Sequence, residues 1–163
     1  FSLEQKFDVA FLINVLEHLL EPEKTILEIR NKLLNKNGLL VIDVPNEFNI
    51  LQTTANKFHD LNQWWIAPPG HINYFDLESL SNLLIDNGYE ILKAEASFPL
   101  EMFLLYGDNY VKDSNVGAIA HKKRVSFENS FLKTGQFQQL ANLYEAFAKI
   151  GIGRQIRVYA RSL

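Results

Sequence analysis

Phe7-Asp8-Val9-Ala10-Phe11-Leu12-Ile13-Asn14-Val15-Leu16-Glu17-His18 is the stretch that decides the fold of this chain. Its first half is apolar and includes β-branched and aromatic side chains, which is typical of a strand buried on both faces. Polar side chains follow at Asn14, Glu17 and His18. Because ligands bind at the carboxyl ends of the strands in open α/β sheets, we expect these three side chains to lie at a functional site.

A strand–helix–strand unit is predicted directly after this stretch. Pro22 favours a helix start, and the pattern predicts a helix to about Lys36. The Asn37-Gly38 pair predicts the end of that helix, since glycine adopts the left-handed conformation at little cost. Residues 39–44 form a second apolar run, so they predict a second buried strand. Together these elements predict a βαβ unit with a right-handed crossover.

The remainder of the chain completes an α/β pattern. Residues 45–76 show no sustained helical or strand periodicity of apolar residues, which predicts a lid or an active-site loop. Asp76 can cap a helix over residues 77–87, and Tyr89–Ala96 predicts a third strand. Residues 117–150 predict a helix interrupted at Gly135, and residues 155–160 predict a closing strand. We therefore expect a single α/β domain with helices on both faces of its sheet.

Composition excludes several classes of function. The chain has 163 residues and a net charge of −3, which provides no electrostatic footprint for nucleic acid or for an anionic membrane. It has no cysteine, so disulfides, thiolate nucleophiles and cysteine-ligated metals are excluded. No apolar run is long enough to predict a membrane span. We expect a cytoplasmic domain with no nucleic-acid or membrane partner.

Four features in this order resemble the C-terminal half of the class I S-adenosylmethionine-dependent methyltransferases. They are the strand opened by Phe7-Asp8 that leads into Leu16-Glu17-His18, the Asn37-Gly38 pair before the second strand, Pro45-Asn46 after that strand, and His71 with Phe75 before the next helix and strand. In that family the sheet has seven strands, and the resemblance makes this chain the part that contains strands 4, 5, 6 and 7. It implies a partial Rossmann-like sheet in the order 4-5-7-6, with the last strand antiparallel.

The family's glycine-rich turn after strand 1 and the acidic residue after strand 2 have no counterpart in this sequence. The resemblance therefore implies the substrate-side half of a methyltransferase domain, whose partner is a missing N-terminal half. S-adenosylmethionine is the implied cofactor of the full-length protein. We expect residues 1–163 alone to bind it weakly or not at all, and to be inactive by themselves.

The resemblance also implies roles for particular residues. Residues at the turn after strand 4 contact the methionine end of the cofactor; in this chain they are Asn14, Val15, Leu16 and Glu17. Two histidines, His18 and His71, are the implied catalytic residues, because imidazole can remove a proton from the methyl acceptor near neutral pH. The candidates for the acceptor pocket are Asn46, Trp64, Trp65 and Tyr110.

A metal ion is not expected at this turn. Some relatives, including ubiquinone-pathway O-methyltransferases and small-RNA 2′-O-methyltransferases, have Glu-x-x-Glu-His there and bind a divalent ion. Asn14 replaces the first carboxylate of that pattern, and a neutral amide attracts a cation less strongly. The predicted function is methyl transfer to a small-molecule acceptor, with oxygen preferred. The alternatives are a catalytically silent fragment that acts in protein association, and a metal-dependent RNA 2′-O-methyltransferase, which the acidic composition disfavours.

The predicted position of Phe7–Ile13 also bears on assembly. Strand 4 is central in the family, and without strand 1 it becomes an edge strand with unpaired backbone groups. We expect the isolated chain to form a homodimer through this edge, unless residues 98–110 fold back and cover it.

Overall fold

A four-stranded mixed sheet forms the frame of the protein. The computed structural model describes residues 5–163 and contains β1 (Phe7–Ile13), β2 (Leu34–Pro45), β3 (Tyr89–Ala96) and β4 (Gln155–Ser162). The spatial order is β1-β2-β4-β3; β1 is parallel to β2, and β4 is antiparallel to both of its neighbours. The predicted α/β class, strand order and antiparallel last strand are thus confirmed.

Helices occupy all three connections between consecutive strands. Between β1 and β2 lie a 3₁₀ turn, Leu16–His18, and α1, Pro22–Glu28, which continues into a π-helical turn, Ile29–Leu33. The other helices are α2 (Ile50–His59), α3 (Leu77–Asp86), α4 (Glu101–Leu105), α5 (Ser114–Lys133) and α6 (Phe137–Lys149). None of the helices in the described part of the chain is long and apolar enough to cross a bilayer.

The hydrophobic core lies against one face of the sheet. Leu80 and Leu84 of α3 and Ile26 of α1 are fully buried in one cluster with alternate residues of the two central strands, namely Leu40, Ile42, Val44, Ile156, Val158 and Ala160. The start of α3 is fixed by Asp76, whose carboxylate accepts a hydrogen bond from the Ser79 amide at 2.8 Å. This N-cap is the one that the sequence predicts.

The predicted end of the first helix is wrong. The helix ends at Leu33 and β2 begins at Leu34, whereas the sequence pattern placed the helix end near Lys36. Leu34 pairs with Phe7, and Val9 then pairs with Leu39, so the intervening residues of β2 bulge out of the ladder. Within this bulge Asn37, with φ of 63°, takes the left-handed conformation that the prediction assigned to a glycine helix cap.

The connection between β3 and β4 is helical and lies away from β1. The predicted interruption at Gly135 is confirmed, with φ of 71° between α5 and α6. Residues 98–110 include α4, whose Leu104 carbonyl accepts a hydrogen bond from His59 Nε2 of α2 at 2.7 Å. This segment therefore packs on α2 and does not cover the β1 edge.

One face of β1 is left open to solvent, so the expectation of helices on both faces holds only in part. Its outward side chains are 40–65% exposed; they are Phe7, Val9, Phe11 and Ile13. We call these four side chains the β1 stripe. Among the described residues β1 pairs only with β2, so its other backbone edge is also free. An apolar stripe beside an unpaired strand edge is a surface that favours association.

We predict that the isolated chain dimerises through the β1 stripe and that Phe11→Lys makes it monomeric, because an ammonium group cannot be buried against a second apolar edge without a partner. Light scattering coupled to gel filtration at tens of micromolar measures the mass against the 18.8 kDa monomer. Phe58→Lys is the matched control, since Phe58 is similarly exposed on α2. A monomeric mass for the parent chain would refute this prediction.

Candidate functional site

The turn after β1 positions the first group of candidate residues. Asn14 adopts φ of 52°, which asparagine tolerates better than most residues. Its backbone amide still donates a hydrogen bond to the backbone carbonyl of Asp43 at 2.9 Å. The side chain of Leu16 is fully buried in the core, so this residue anchors the turn. As a result Glu17 is only 2% exposed, while Val15 and His18 remain accessible.

A set of hydrogen bonds joins this turn to a distant part of the chain. The Glu17 carbonyl accepts bonds from the amides of Ile72 and Asn73, both at 3.0 Å. The Asn73 side-chain amide donates to the carbonyls of Leu16 and Leu19, at 3.2 and 2.7 Å. We call these four bonds the Glu17 clamp. They bring the segment that contains His71 against the turn that contains His18.

The two predicted catalytic histidines lie in contact. Their ring centroids are 4.9 Å apart with an interplanar angle of 70°. His18 Nδ1 is 2.6 Å from the Gly70 carbonyl oxygen, and because a carbonyl can only accept, Nδ1 carries the hydrogen. In the neutral ring Nε2 is then unprotonated, and it lies 3.6 Å from Glu17 Oε1.

Glu17, His18 and His71 therefore form one cluster with coordinating or proton-transferring capacity. One potential ligand atom from each residue lies within 4.8 Å of the other two. Glu17 Oε2 and His71 Nδ1 are buried and have no hydrogen-bond partner within residues 5–163. Buried polar atoms are nearly always satisfied in folded proteins, so these two are available to a ligand, to a proton or to a divalent ion.

The predicted tryptophans lie in an aromatic cluster that extends from the histidines. Trp64 and Trp65 make an edge contact at 4.7 Å, and Phe48 contacts both Trp65 and Tyr74 at about 6 Å between ring centroids. The Tyr74 hydroxyl donates to the His71 carbonyl at 3.1 Å. Both indole N–H groups are buried without a hydrogen-bond partner in the part of the chain that the structure describes. The cluster thus combines apolar walls with two unused donors.

Asn46 and Tyr110, the other two predicted acceptor residues, lie in different surroundings. Asn46 is buried, and its side-chain amide donates to the Gly153 carbonyl at 3.1 Å, which ties the end of β2 to the turn before β4. It also lines a cavity of about 470 Å³ next to Glu47. Burial and the neighbouring Glu101 carboxylate raise the pKa of Tyr110 above its ordinary value, so its hydroxyl stays protonated.

Two buried glutamates near the site were not predicted from the sequence. Glu47 accepts a hydrogen bond from Gln52 Nε2 at 2.8 Å; burial raises its pKa, although Gln52 and the charges of Arg154 and His71 oppose that shift. Glu101 is fully buried and lies 3.4 Å from Arg154. Glu47 follows the carboxyl end of a strand, which could have identified it. Nothing in the local sequence marks Glu101.

A comparison with protein families finds a match that covers most of the candidate site. Residues 2–94 match the model of a family described as a methyltransferase domain. This range includes the turn after β1, the Glu17 clamp and both histidines. A comparison with curated protein sequences finds no significant match.

Comparison with solved structures confirms the fold. A SAM-dependent methyltransferase from Archaeoglobus fulgidus is 18% identical with a TM-score of 0.50, and the alignment covers 96% of this chain and 60% of that one. The cyclase SpnF is 20% identical with a TM-score of 0.49, over 99% of this chain and 52% of that one. The chain therefore spans between half and two thirds of the length of these two structural neighbours.

We predict that Glu101→Gln becomes more stable relative to the parent chain as pH rises. Burial raises the pKa of Glu101 above its ordinary value of 4.5, so the folded state binds this proton more tightly than the unfolded state does. The free energy of unfolding that this proton contributes is fully present below the pKa of Glu101 in the unfolded chain. It is lost as pH rises through the pKa of Glu101 in the folded chain. Glutamine is neutral throughout and avoids the loss.

The measurement is the thermal midpoint of both proteins from about pH 4 to pH 8, a range that starts near the ordinary pKa of glutamate. Glu90→Gln is the control, since Glu90 is half exposed in an ion pair with Arg161. A difference between Glu101→Gln and the parent that stays constant or shrinks with rising pH would contradict the prediction.

Proposed function

Because this chain belongs to the methyltransferase domain family, we propose that it supplies the acceptor-side half of an S-adenosylmethionine-dependent enzyme that methylates a small molecule. The observation that carries the proposal is the cluster of Glu17, His18 and His71 at the carboxyl end of β1. This edge of an open α/β sheet is where ligands bind. Oxygen is the preferred acceptor atom, since a base beside the acceptor matters most when a hydroxyl must lose its proton.

The turn after β1 fits the methionine end of the cofactor. Asn14 and Val15 are accessible there, whereas the Leu16 side chain belongs to the core and offers a ligand only its backbone. Glu17 adds a buried carboxylate oxygen without a partner in the described residues, which can accept from an ammonium group. S-adenosylmethionine, when bound, supplies a methyl group for in-line displacement. The chain's own residues then align the acceptor and remove its proton.

His71 is the proposed general base. Its Nδ1 has no hydrogen-bond partner among residues 5–163 and can take a proton from an acceptor hydroxyl. His18, fixed by the Gly70 carbonyl, holds the His71 ring in position from the side. The Glu17 carboxylate lies within 4.8 Å of the ligand atoms of both histidines and stabilises the imidazolium that forms.

The acceptor itself is proposed to contact the aromatic cluster; Tyr110 is a further candidate, because its buried hydroxyl has no hydrogen-bond partner among residues 5–163. Trp64 and Trp65 offer flat apolar surface with two buried N–H donors, which suits a small acceptor that has both apolar and polar parts. Asn46 contributes less directly, because its side chain is held by Gly153.

A second candidate is metal-assisted methyl transfer. The observation that favours it is the same cluster, since one carboxylate and two imidazoles within 4.8 Å are a plausible set of ligands for a divalent ion. Asn14 is a poor fourth ligand, because its Oδ1 already accepts a hydrogen bond from Gln155 Nε2 at 2.8 Å. The cluster as it stands is therefore better suited to proton transfer than to a closed metal site.

We predict that His71→Ala lowers the turnover of the full-length enzyme by about 10²- to 10⁴-fold, the usual cost of losing a general base, and changes cofactor affinity little. Turnover and the dissociation constant of S-adenosylmethionine are measured on the same preparation. His121→Ala is the control, because His121 is exposed on α5. If the turnover of His71→Ala stays within about twofold of the parent, His71 has no catalytic role.

We also predict that the full-length enzyme keeps its turnover after treatment with a chelator and dialysis. The base mechanism needs no ion, whereas the metal-assisted mechanism loses activity and regains it with Mn²⁺ or Zn²⁺. Calorimetric titration of Mn²⁺ into the parent and into Glu17→Gln gives an independent readout. A chelator-sensitive turnover together with Mn²⁺ binding that Glu17→Gln abolishes would replace the base mechanism with the metal-assisted one.

A further inference from the structure

A second polar cavity lies beside the site described above and shares none of its histidines. Its volume is about 200 Å³, and it is formed where the ends of β2 and β3 and the start of β4 meet α5 and α6. The polar residues that line it include Asp43, Glu95, Glu128, Tyr144, Gln155 and Arg157. Pockets for drug-sized ligands are typically about 300–1,000 Å³, so this one fits a small functional group.

Asp43 is the residue in this cavity with an unused hydrogen-bonding atom. Its side chain is 5% exposed, and its Oδ2 accepts a hydrogen bond from Arg157 Nε at 2.8 Å and lies 2.6 Å from Arg157 Nη2 in an ion pair. Oδ1 is buried, and no hydrogen-bond partner for it occurs between residues 5 and 163. An unpaired carboxylate oxygen in such a position calls for a hydrogen-bond donor.

The other two carboxylates of the cavity are already satisfied. Glu95 receives bonds from Arg157 and from the Tyr159 hydroxyl, at 3.3 and 3.0 Å. Glu128 receives two bonds from Arg124, at 2.7 and 2.6 Å, and one from the Tyr144 hydroxyl at 2.6 Å. Among the three cavity carboxylates, Asp43 is therefore the one with a buried oxygen that has no partner in the described part of the chain.

The charges around the cavity favour a monocation. Lys93 bridges Glu95 and Glu145, at 3.3 and 3.0 Å, so it belongs to the same network. The carboxylates of this network outnumber its cationic side chains by one; the members are Asp43, Glu95, Glu128 and Glu145 against Lys93, Arg124 and Arg157. One compact positive group would neutralise the network, whereas an anion would be repelled.

The cavity is connected to the turn after β1 by two hydrogen bonds. Gln155 lines the cavity and donates from Nε2 to Asn14 Oδ1 at 2.8 Å. The Asn14 amide donates to the carbonyl of Asp43 itself at 2.9 Å. A group bound to Asp43 therefore lies next to the turn that we assign to the cofactor's methionine end.

We propose that this cavity binds a protonated amino group of the methyl acceptor, with Asp43 Oδ1 accepting the hydrogen bond. This inference rests on the proposed function, since it takes the ligand to be the acceptor of that reaction. The methyl acceptor is then a small molecule with a primary or secondary ammonium group a short distance from the atom that is methylated. The cavity holds only this end of the acceptor.

The test uses ethanolamine as the probe and ethylene glycol as its neutral counterpart, because the two differ in one ammonium group. Binding to this chain is followed through the side-chain amide signals of Asn14 and Gln155 in ¹H–¹⁵N NMR spectra. We expect saturable shifts with ethanolamine at millimolar concentrations and none with ethylene glycol. Asp43→Asn should weaken ethanolamine binding at least about tenfold, as expected for loss of a charge-assisted bond.

Glu90→Gln is the matched control, because Glu90 also forms an ion pair with an arginine of β4, at the other end of the strand. If Asp43→Asn does not fold, Ser97→Thr decides the question, since Ser97 lines the cavity and threonine narrows it without a charge change while keeping the hydroxyl that accepts from the Gln155 amide at 3.0 Å. Equal binding of ethylene glycol, or unchanged ethanolamine binding in the folded variant, overturns the inference. The assay contains no cofactor and measures no methyl transfer. A negative result therefore overturns this inference alone, and the turnover measurements still test the proposed methyltransferase activity.

Discussion

The arrangement of the site depends on the carbonyl oxygen of Glu17, which accepts hydrogen bonds from two successive backbone amides, those of Ile72 and Asn73. Asn73 adds two more bonds from its side chain, to the carbonyls on either side of the turn. Each such bond contributes about 1 kcal/mol net, so the Glu17 clamp as a whole is significant against a typical domain stability of about 5–15 kcal/mol. Together with the hydrogen bond between His18 Nδ1 and the Gly70 carbonyl, the clamp holds His71 against His18.

The position of β4 is the second constraint. Because β4 is antiparallel between β2 and β3, its first residue and the turn before it lie at the sheet edge at which β1 and β2 end. Three contacts follow from this placement: Gly153 with Asn46, Arg154 with Glu101, and Gln155 with Asn14. A parallel strand in the same place would bring its carboxyl end to this edge. The reversed last strand therefore supplies Gln155 and Arg157 to the cavity that contains Asp43.

Sequence reasoning succeeded where the information is local. Phe7–Ile13 and Tyr89–Ala96 have the predicted bounds, because apolar runs with turn residues at their ends are visible without the fold. The helix end near Leu33 was missed because pairing of Leu34 with Phe7 is a tertiary event that overrides local propensity. Asp43 and Glu101 were missed for a related reason, since each is a single carboxylate whose burial depends on distant Arg157 or Arg154.

The sheet face that contains Asp43 is apolar on β1 and charged on β4. These two parts of the face suit different binding partners. In register across the sheet, Phe11 lies beside Val41 and then Tyr159, and Ile13 lies beside Asp43 and then Arg157. The β1 side is thus apolar and suited to another protein surface, while the β4 side is charged and suited to a small polar ligand. Because Ile13 pairs with Asp43, a partner that covered the β1 stripe would also exclude water near that carboxylate. A lower local dielectric would strengthen the pairing of Asp43 with Arg157 and would also raise the cost of leaving Asp43 Oδ1 without a donor.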